Sequence, residues 1–352
     1  MVSRRHWRAG GSQAAVSLAY KLSLLDKSPL QKGETAATAV ARTAAMAQLA
    51  ERLGYHRFWL AEHHGMQVLA SSAPEVLIAH ILAKTSRIRV GSGGVMLQHY
   101  NAYKVAETFN TLSALAPGRV DLGVGKAPGG FPFSTHALHL GHDPARWPSF
   151  PDQLAELGGY LEASFEGGPR EGAVAAPIPP EPPERFLLGG SVESAVMAAE
   201  RRWGFVFAGQ LNGDPALTEA SFNAFASHGG RGTPLLALLA LVAEQPGAAE
   251  ARLAGLSGVK VRFDDGHSVN LGNREQAAEY ARQKGDDRYQ VVETKPNVLA
   301  GTQSQVLQEL DRLELRFGVK EFIVETPHVP AAERRRSVEL LGERIIAEPE
   351  TV

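Results

Sequence analysis

Two histidines and a carboxylate stand side by side in the run Ala61-Glu62-His63-His64, which directly follows a short apolar segment. An imidazole changes charge closest to neutral pH, so a histidine at the end of a strand suits general acid–base chemistry. Adjacent residues of an extended chain point to opposite faces, whereas a zinc site needs ligands that converge. We therefore expect one of the two imidazoles to act at a site, and we do not expect a metal.

Two glycine-rich runs end later apolar segments, at residues 91–94 (GSGG) and 123–126 (GVGK). Glycine within a strand permits a bulge, an unusual peptide geometry or the close approach of a flat ligand, and the alternative is a simple turn. Lys126 adds a cation beside the second run. A lysine in this place suits a phosphate, although a lone lysine is also a common solvated charge.

A third run, residues 189–194 (GGSVES), passes from an apolar segment into a helical one, with Ser191 placed as the N-cap. Free N–H groups at a helix N-terminus suit a phosphate, and the alternative is a capped helix without a ligand. Lys126 on the preceding strand favours the phosphate. The sequence lacks the G-x-G-x-x-G fingerprint and the Walker loop, so we do not expect a nucleotide bound in the Rossmann manner.

Eight apolar segments alternate with segments of helical periodicity and must position these residues. This number predicts an α/β fold of the (β/α)8 TIM barrel class, because doubly wound sheets usually have five or six strands. Long connections at 127–185 and 244–302, without clear strands, are expected to be lids or binding loops inserted after strands 4 and 7. The predicted strands are 20–25, 56–61, 88–96, 119–125, 186–190, 205–209, 235–242 and 321–325.

The composition of the 352 residues is that of an ordinary globular protein, with 36 Lys+Arg against 38 Asp+Glu and a net charge of −2. This charge gives no reason to expect a nucleic-acid partner. The sequence has no cysteine, and no run reaches the roughly 18 apolar residues of a membrane span. We expect a cytoplasmic protein with a flexible extension at 1–19 and a single barrel domain at 20–352. The tract at 167–183 is rich in Gly and Pro and has no predicted role.

The ordered motifs between residues 57 and 129 resemble those of the bacterial luciferase-like, flavin-dependent monooxygenases. The matching motifs are Ala-Glu-His-His, Val-Gly-Ser-Gly-Gly-Val-Met-Leu, Lys-Val-Ala-Glu and Ala-Pro-Gly-Arg-Val-Asp-Leu-Gly. The resemblance implies a barrel that holds reduced FMN at the C-terminal strand ends, in a homodimer or related oligomer, with a separate flavin reductase. The apolar helices after strands 2 and 3 are a plausible dimer face. The resemblance also implies a non-prolyl cis peptide near Gly93-Gly94, against which the flavin ring packs.

In this family, reduced flavin and O2 form a C4a-hydroperoxide whose distal oxygen goes to a small apolar substrate, here expected to be aldehyde-like. The resemblance assigns proton transfer or hydrogen bonding at that peroxide to His63, with a pKa near 6.5, and makes Glu62 and His64 its orienting residues. Lys126 stands where the family has an arginine, and residues 98–101 (QHYN) replace a proline-containing form. The implied FMN-binding residues are Gly93, Gly94, Lys126, Gly190, Ser191 and Val192.

Three other functions are compatible with the sequence. A deazaflavin enzyme of the same superfamily would transfer hydride without oxygen chemistry. A flavin-binding protein without catalysis could use the same barrel, although the two retained histidines favour an enzyme. A metal-dependent hydrolase barrel is less favoured, because the sequence has no His-x-His at a strand end.

Overall fold

A computed structural model describes residues 18–143, 145–162, 172–211 and 213–346. Most of the predicted N-terminal extension and residues 167–171 of the Gly/Pro-rich tract lie outside the described residues. The strands are β1 (Lys21–Asp26), β2 (Arg57–Leu60), β3 (Arg89–Met96), β4 (Val120–Gly125), β5 (Glu184–Gly189), β6 (Gly204–Ala208), β7 (Leu235–Val242), β8 (Gly258–Phe263), β9 (Ser268–Leu271), β10 (Tyr289–Thr294), β11 (Val298–Gly301) and β12 (Glu321–Glu325). The α-helices are α1 (Ala36–Arg52), α2 (Pro74–Leu82), α3 (Ala102–Leu115), α4 (Pro132–Leu138), α5 (Phe150–Glu162), α6 (Val192–Glu200), α7 (Pro215–Ser227), α8 (Ala248–Leu253), α9 (Arg274–Lys284), α10 (Gln303–Phe317) and α11 (Ala331–Ile346).

Eight parallel strands close into a barrel in the order β1-β2-β3-β4-β5-β6-β7-β12, with β12 paired to β1. A helix follows each of these strands before the next one begins. The predicted (β/α)8 barrel is therefore confirmed. No helix in the described part of the chain is both long and apolar enough to cross a membrane.

The barrel interior is layered along its axis. Near the N-terminal ends of the strands, Arg57 forms ion pairs with Asp121 (2.9 Å), Glu184 (2.8 Å) and Glu321 (2.9 Å), and Arg89 also binds Asp121 (2.6 Å). Mutual pairing offsets the desolvation of these charges. An apolar layer lies above them, formed by Leu25, Trp59, Ala61, Phe186, Val206, Leu235, Ala237 and Ile323. This packed interior leaves the C-terminal mouth of the barrel as the place for a ligand.

The two long insertions are folded. The first insertion, after β4, contains the additional helix α4. The next helix, α5, packs on α3 and is the regular barrel helix. The second, after β7, forms the antiparallel sheet β10-β8-β9 with α9 on it, and then β11, which pairs with the upper half of β7. The prediction of a segment without strands at 244–302 is therefore wrong. Its strands are short and half exposed, so they lack the continuous apolar run of the barrel strands.

Both insertions lie on the C-terminal side of the barrel and contact each other there. The ring of Phe131 packs on Tyr280 of α9 at 5.8 Å between centroids. The backbone N–H of Phe133 donates to Gln283 Oε1 at 3.0 Å, and the guanidinium of Arg282 lies 5.3 Å from the centre of the Phe133 ring. The small antiparallel sheet is thereby joined to the segment that follows β4, and the two together flank the mouth.

Candidate active site at the barrel mouth

The predicted site residues lie at the C-terminal ends of four consecutive strands, β2 to β5. Residues 62–64 follow β2, the 93–94 pair lies in β3, Lys126 follows β4, and residues 190–192 follow β5. Because neighbouring strands are in register at this end, with Gly125 paired to Leu188, these segments share one side of the barrel mouth. The fold thus collects residues that are more than 120 positions apart in sequence.

The peptide bond between Gly93 and Gly94 is cis, as the resemblance implied. The register between β3 and β4 shifts here, with two β3 residues facing one β4 residue. A Cβ at Gly94 would lie 2.8 Å from the carbonyl oxygen of Gly123, and one at Gly93 would lie 2.7 Å from Leu25 Cδ1. A side chain at Gly94 would meet fixed backbone, and one at Gly93 would require Leu25 to move, so the strand presents bare backbone near the mouth.

Glu62 is the centre of a buried hydrogen-bond network. It is 1% exposed, and its Oε1 lies 2.7 Å from His64 Nε2 and accepts from the Tyr100 hydroxyl at 2.8 Å. Its Oε2 accepts from the backbone N–H of Met96 at 3.2 Å. A carboxylate only accepts, so the contact with His64 assigns a hydrogen to Nε2 of that ring. Glu62 therefore fixes the tautomer and orientation of His64.

His63 lies in a different environment from His64. Its Nδ1 is buried and has no hydrogen-bond partner among the described residues. Burial lowers the pKa of His63 to about 3, with a further contribution from the Lys27 ammonium. Two parts of the prediction are thus corrected: Glu62 hydrogen-bonds His64 and not His63, and His63 does not keep a pKa near 6.5. The neutral imidazole can still donate or accept a hydrogen bond.

Three residues near this network were not predicted as site residues. Tyr100 belongs to the QHYN run, where the sequence departs from the family form. In the same run, His99 Nε2 donates to the Pro128 carbonyl at 2.8 Å, and its Nδ1 lies 2.8 Å from Nε2 of His139 on the first insertion. Glu75, at the start of α2, is half-buried, and burial together with the nearby Glu62 raises its pKa.

The predicted phosphate-binding residues lie at the ends of β4 and β5. Lys126 is exposed, and no ion pair or hydrogen bond to its ammonium occurs within the described ranges. Ser191 caps α6 by accepting from the Ser194 N–H at 3.2 Å, and Val192 begins the helix. Gly190 has no atom within 4 Å of the position of a Cβ, and its backbone does not require glycine. The free space at this glycine, at the N-terminus of α6 and next to the strand that Lys126 follows, fits a phosphate.

Buried polar atoms without partners also occur on this face of the barrel. Besides His63 Nδ1, they include Gln210 Oε1, which follows β6, and Glu325 Oε2, at the end of β12. Most buried polar groups in folded proteins are hydrogen-bonded, so unpartnered atoms around one mouth are consistent with groups that a ligand completes. Gln210 carried no signal in the sequence beyond its place after an apolar segment. The bare glycine backbone and the cationic end together fit the ring and the phosphate of a flavin mononucleotide.

The chain is similar to known proteins over nearly its whole length. The sequence model of the family described as luciferase-like monooxygenase matches residues 21–318. A Bacillus subtilis (strain 168) protein named N-acetyl-S-alkylcysteine monooxygenase is 43% identical over 332 residues, which cover 93% of this chain and 98% of that protein.

Solved structures share the fold over nearly the whole chain. The crystal structure of apo-MsnO8 has a TM-score of 0.73 and 31% identity, and the match covers 94% of this chain and 99% of that one. The FMN complex of the oxygenating constituent of 3,6-diketocamphane monooxygenase from Pseudomonas putida has a TM-score of 0.66, with 93% of this chain and 97% of that chain covered. At 17% identity, the latter shows likeness of fold alone. Given the match over residues 21–318 and the close full-length relative, this chain belongs to the luciferase-like monooxygenase family.

Proposed function

We propose that the protein is an FMN-dependent monooxygenase that uses reduced FMN and O2 to oxygenate a small organic substrate. The observation that carries this proposal is the convergence, at consecutive strand ends, of the Glu62–His64 network, His63, the bare Gly93-Gly94 backbone and the Lys126–Ser191 end. Reduced flavin, when bound, supplies two electrons to dioxygen, so that one oxygen atom enters the substrate and the other leaves as water.

The phosphate end of FMN would lie between Lys126 and the N-terminus of α6. Lys126 provides a positive charge, and the N–H groups at the start of α6 provide directed donors. A lysine lacks the bidentate fork of arginine, so the helix N-terminus carries more of the recognition here. A phosphate at this end distinguishes FMN from riboflavin, and it places the flavin ring toward β3 and β2.

The two histidines would have different tasks. His64 is held by Glu62 and Tyr100, an arrangement suited to an imidazole that takes up or releases a proton through Nδ1. His63 is neutral at physiological pH, so we assign it a hydrogen bond at the oxygen-reacting edge of the flavin. The contacts of α4 with α9 hold both insertions beside the mouth, where they would limit the entry of water.

The substrate class rests on two different grounds. The family resemblance points to an aldehyde-like apolar compound. The full-length relative is named for N-acetyl-S-alkylcysteines, which adds apolar thioethers of N-acylated amino acids to the candidates. For a thioether, the transferred oxygen atom would go to sulfur or to the adjacent carbon. The cytoplasmic location, the homodimer and the separate flavin reductase stay predictions.

An anaerobic titration tests the choice of cofactor. The purified protein is titrated with reduced FMN and, separately, with a reduced deazaflavin, and binding is followed by absorbance and fluorescence. We expect reduced FMN to bind in 1:1 stoichiometry and to be consumed faster when O2 and a thioether substrate are admitted together. Binding of the deazaflavin alone, with hydride transfer in the absence of O2, would refute the proposal.

A further inference from the structure

A cavity opens at the C-terminal ends of β1 and β12, which lie across the barrel from β4 and Lys126 in the strand order. Its volume is about 380 Å³, which lies within the range of roughly 300–1,000 Å³ typical of small-molecule sites. Its walls come from the C-terminal ends of β1 and β12, the β2–α2 loop, α11 and the second insertion. The lining residues used below are Lys27, Met66, Val68, Leu69, Glu325 and Arg334.

One wall of this cavity carries two cationic side chains, Lys27 and Arg334. Lys27 is paired with Glu325 at 2.7 Å, which uses one of its three N–H donors, and its side chain is 30% exposed. Arg334 is 5% exposed and is held by Asp26, which does not line the cavity, at 2.9 Å. Burial and the neighbouring arginines lower the pKa of His328, another lining residue, so it adds no charge at neutral pH. Each of the two cations is therefore paired with one carboxylate, and Lys27 keeps two N–H donors that a ligand can use.

Two buried polar atoms of this wall have no partner in the described structure. They are Glu325 Oε2, an acceptor, and Arg334 Nε, a donor. A buried polar group without a partner lowers stability, and these two side chains therefore keep hydrogen-bonding capacity that their ion pairs do not use. A carboxylate supplies acceptors, and an amide N–H supplies a donor.

Three further lining residues are apolar, and their loop is fixed in place. Met66, Val68 and Leu69 belong to the β2–α2 loop, which pairs with the β1 end through Pro29 and Leu69. The same loop begins at Ala61 and contains His63, whose pKa is lowered in part by the Lys27 ammonium. The cavity and the predicted reaction site are therefore neighbours that share this loop.

We propose that this cavity is the recognition subsite for the substrate and that it takes a carboxylate-bearing, N-acylated molecule with an apolar tail. Lys27 binds the carboxylate, assisted by Arg334; the amide N–H meets Glu325; and the tail lies on Met66, Val68 and Leu69. This inference rests on the proposed monooxygenase function. It selects the anionic thioether class over neutral aldehydes and makes Lys27 the residue that sets this preference.

Binding measurements test the subsite separately from catalysis. The FMN-loaded, oxidised protein is titrated calorimetrically with N-acetyl-S-butylcysteine and with its methyl ester, which lacks the charge. We expect the acid to bind about tenfold more tightly than the ester, the lower end of the range for a hydrogen bond to a charged group. Lys27→Met should abolish this ratio, and Lys27→Arg should restore most of it. Lys32→Met, which removes an exposed lysine from the same β1–α1 connection, should keep the wild-type ratio.

Each outcome has a distinct meaning. Equal affinities for acid and ester in the wild type, a preference that survives Lys27→Met, or no binding of either compound would overturn the subsite. Oxygenation is measured in parallel with reduced FMN and O2. Oxygenation without any acid preference would refute the subsite alone, whereas a Lys27-dependent preference without oxygenation would refute the proposed function alone.

Discussion

The protonation state of His63 gives the sharpest physical prediction. The imidazole is buried beside Lys27, and its pKa is lowered from 6.5 to about 3. We predict that His63 stays neutral in the folded protein throughout the range from pH 5 to pH 8. Replacement by asparagine removes the titrating group while keeping a polar side chain of similar reach.

The size of the expected stability change follows from the linkage between proton binding and folding. The unfolded chain binds a proton at His63 once the pH falls below about 6.5, whereas the folded protein does not until about pH 3. The stabilisation by the neutral imidazole is therefore complete above pH 6.5 and is lost as the pH falls toward 3. At pH 5 the loss amounts to about 2 kcal/mol, at about 1.36 kcal/mol for each pH unit.

Urea denaturation of the wild type and of His63→Asn, each at pH 7.5 and at pH 5.0, measures this loss of stability. The quantity compared between the two proteins is the decrease in the free energy of unfolding on acidification. The other histidines cancel, because they are present in both proteins. We expect the wild type to lose about 2 kcal/mol more than the variant on acidification. In NMR spectra, the Cε1–H signal that disappears in His63→Asn should not shift between pH 5 and pH 8. Equal losses in both proteins, or a signal that titrates near pH 6.5, would refute the reasoning.

Three further predictions concern the network, the barrel interior and the cofactor. Tyr100→Phe removes the hydroxyl from Glu62 and should lower kcat about tenfold in steady-state assays while flavin affinity, measured by fluorescence, changes little. Asp121→Asn weakens the pairing of the buried Arg57 and the partly buried Arg89, and it should lower the free energy of unfolding by about 3 kcal/mol in urea; an unchanged midpoint would contradict this. Lys126→Met should weaken FMN binding about tenfold without affecting riboflavin, whereas Lys126→Arg should strengthen it. Equal effects on FMN and riboflavin would remove Lys126 from the phosphate site.

Much of the barrel could be predicted because its strands carry a strong signal. Buried parallel strands read as continuous apolar runs, and the observed β7 and β12 coincide with the predicted segments. The strands of the second insertion gave no such signal. β9 and β10 contain no fully buried position, and polar residues occupy half of each strand. Their apolar partners come from α9 and from Phe131 in the other insertion, which local sequence does not reveal.

The hydrogen bonds inside the site could be predicted in part from the sequence. Residues two apart in an extended chain lie on the same face, so Glu62 and His64 could have been paired from this periodicity, with His63 on the other face. The contact of Tyr100 with Glu62 could not be predicted in this way, because the two residues are 38 positions apart. The low pKa of His63 depends on burial and on Lys27, neither of which a motif specifies. Sequence thus indicates which residue types meet at the mouth, while the fold decides which of them are bonded.

The fate of molecular oxygen tests the central claim most directly. The protein is supplied with chemically reduced FMN, 18O2 and N-acetyl-S-butylcysteine, and the product is analysed by mass spectrometry. A monooxygenase incorporates one 18O atom into each product molecule, and His63→Ala should convert most of the consumed oxygen to hydrogen peroxide. Product without 18O, or peroxide alone from the wild-type protein with carboxylate, ester and aldehyde substrates, would contradict the account.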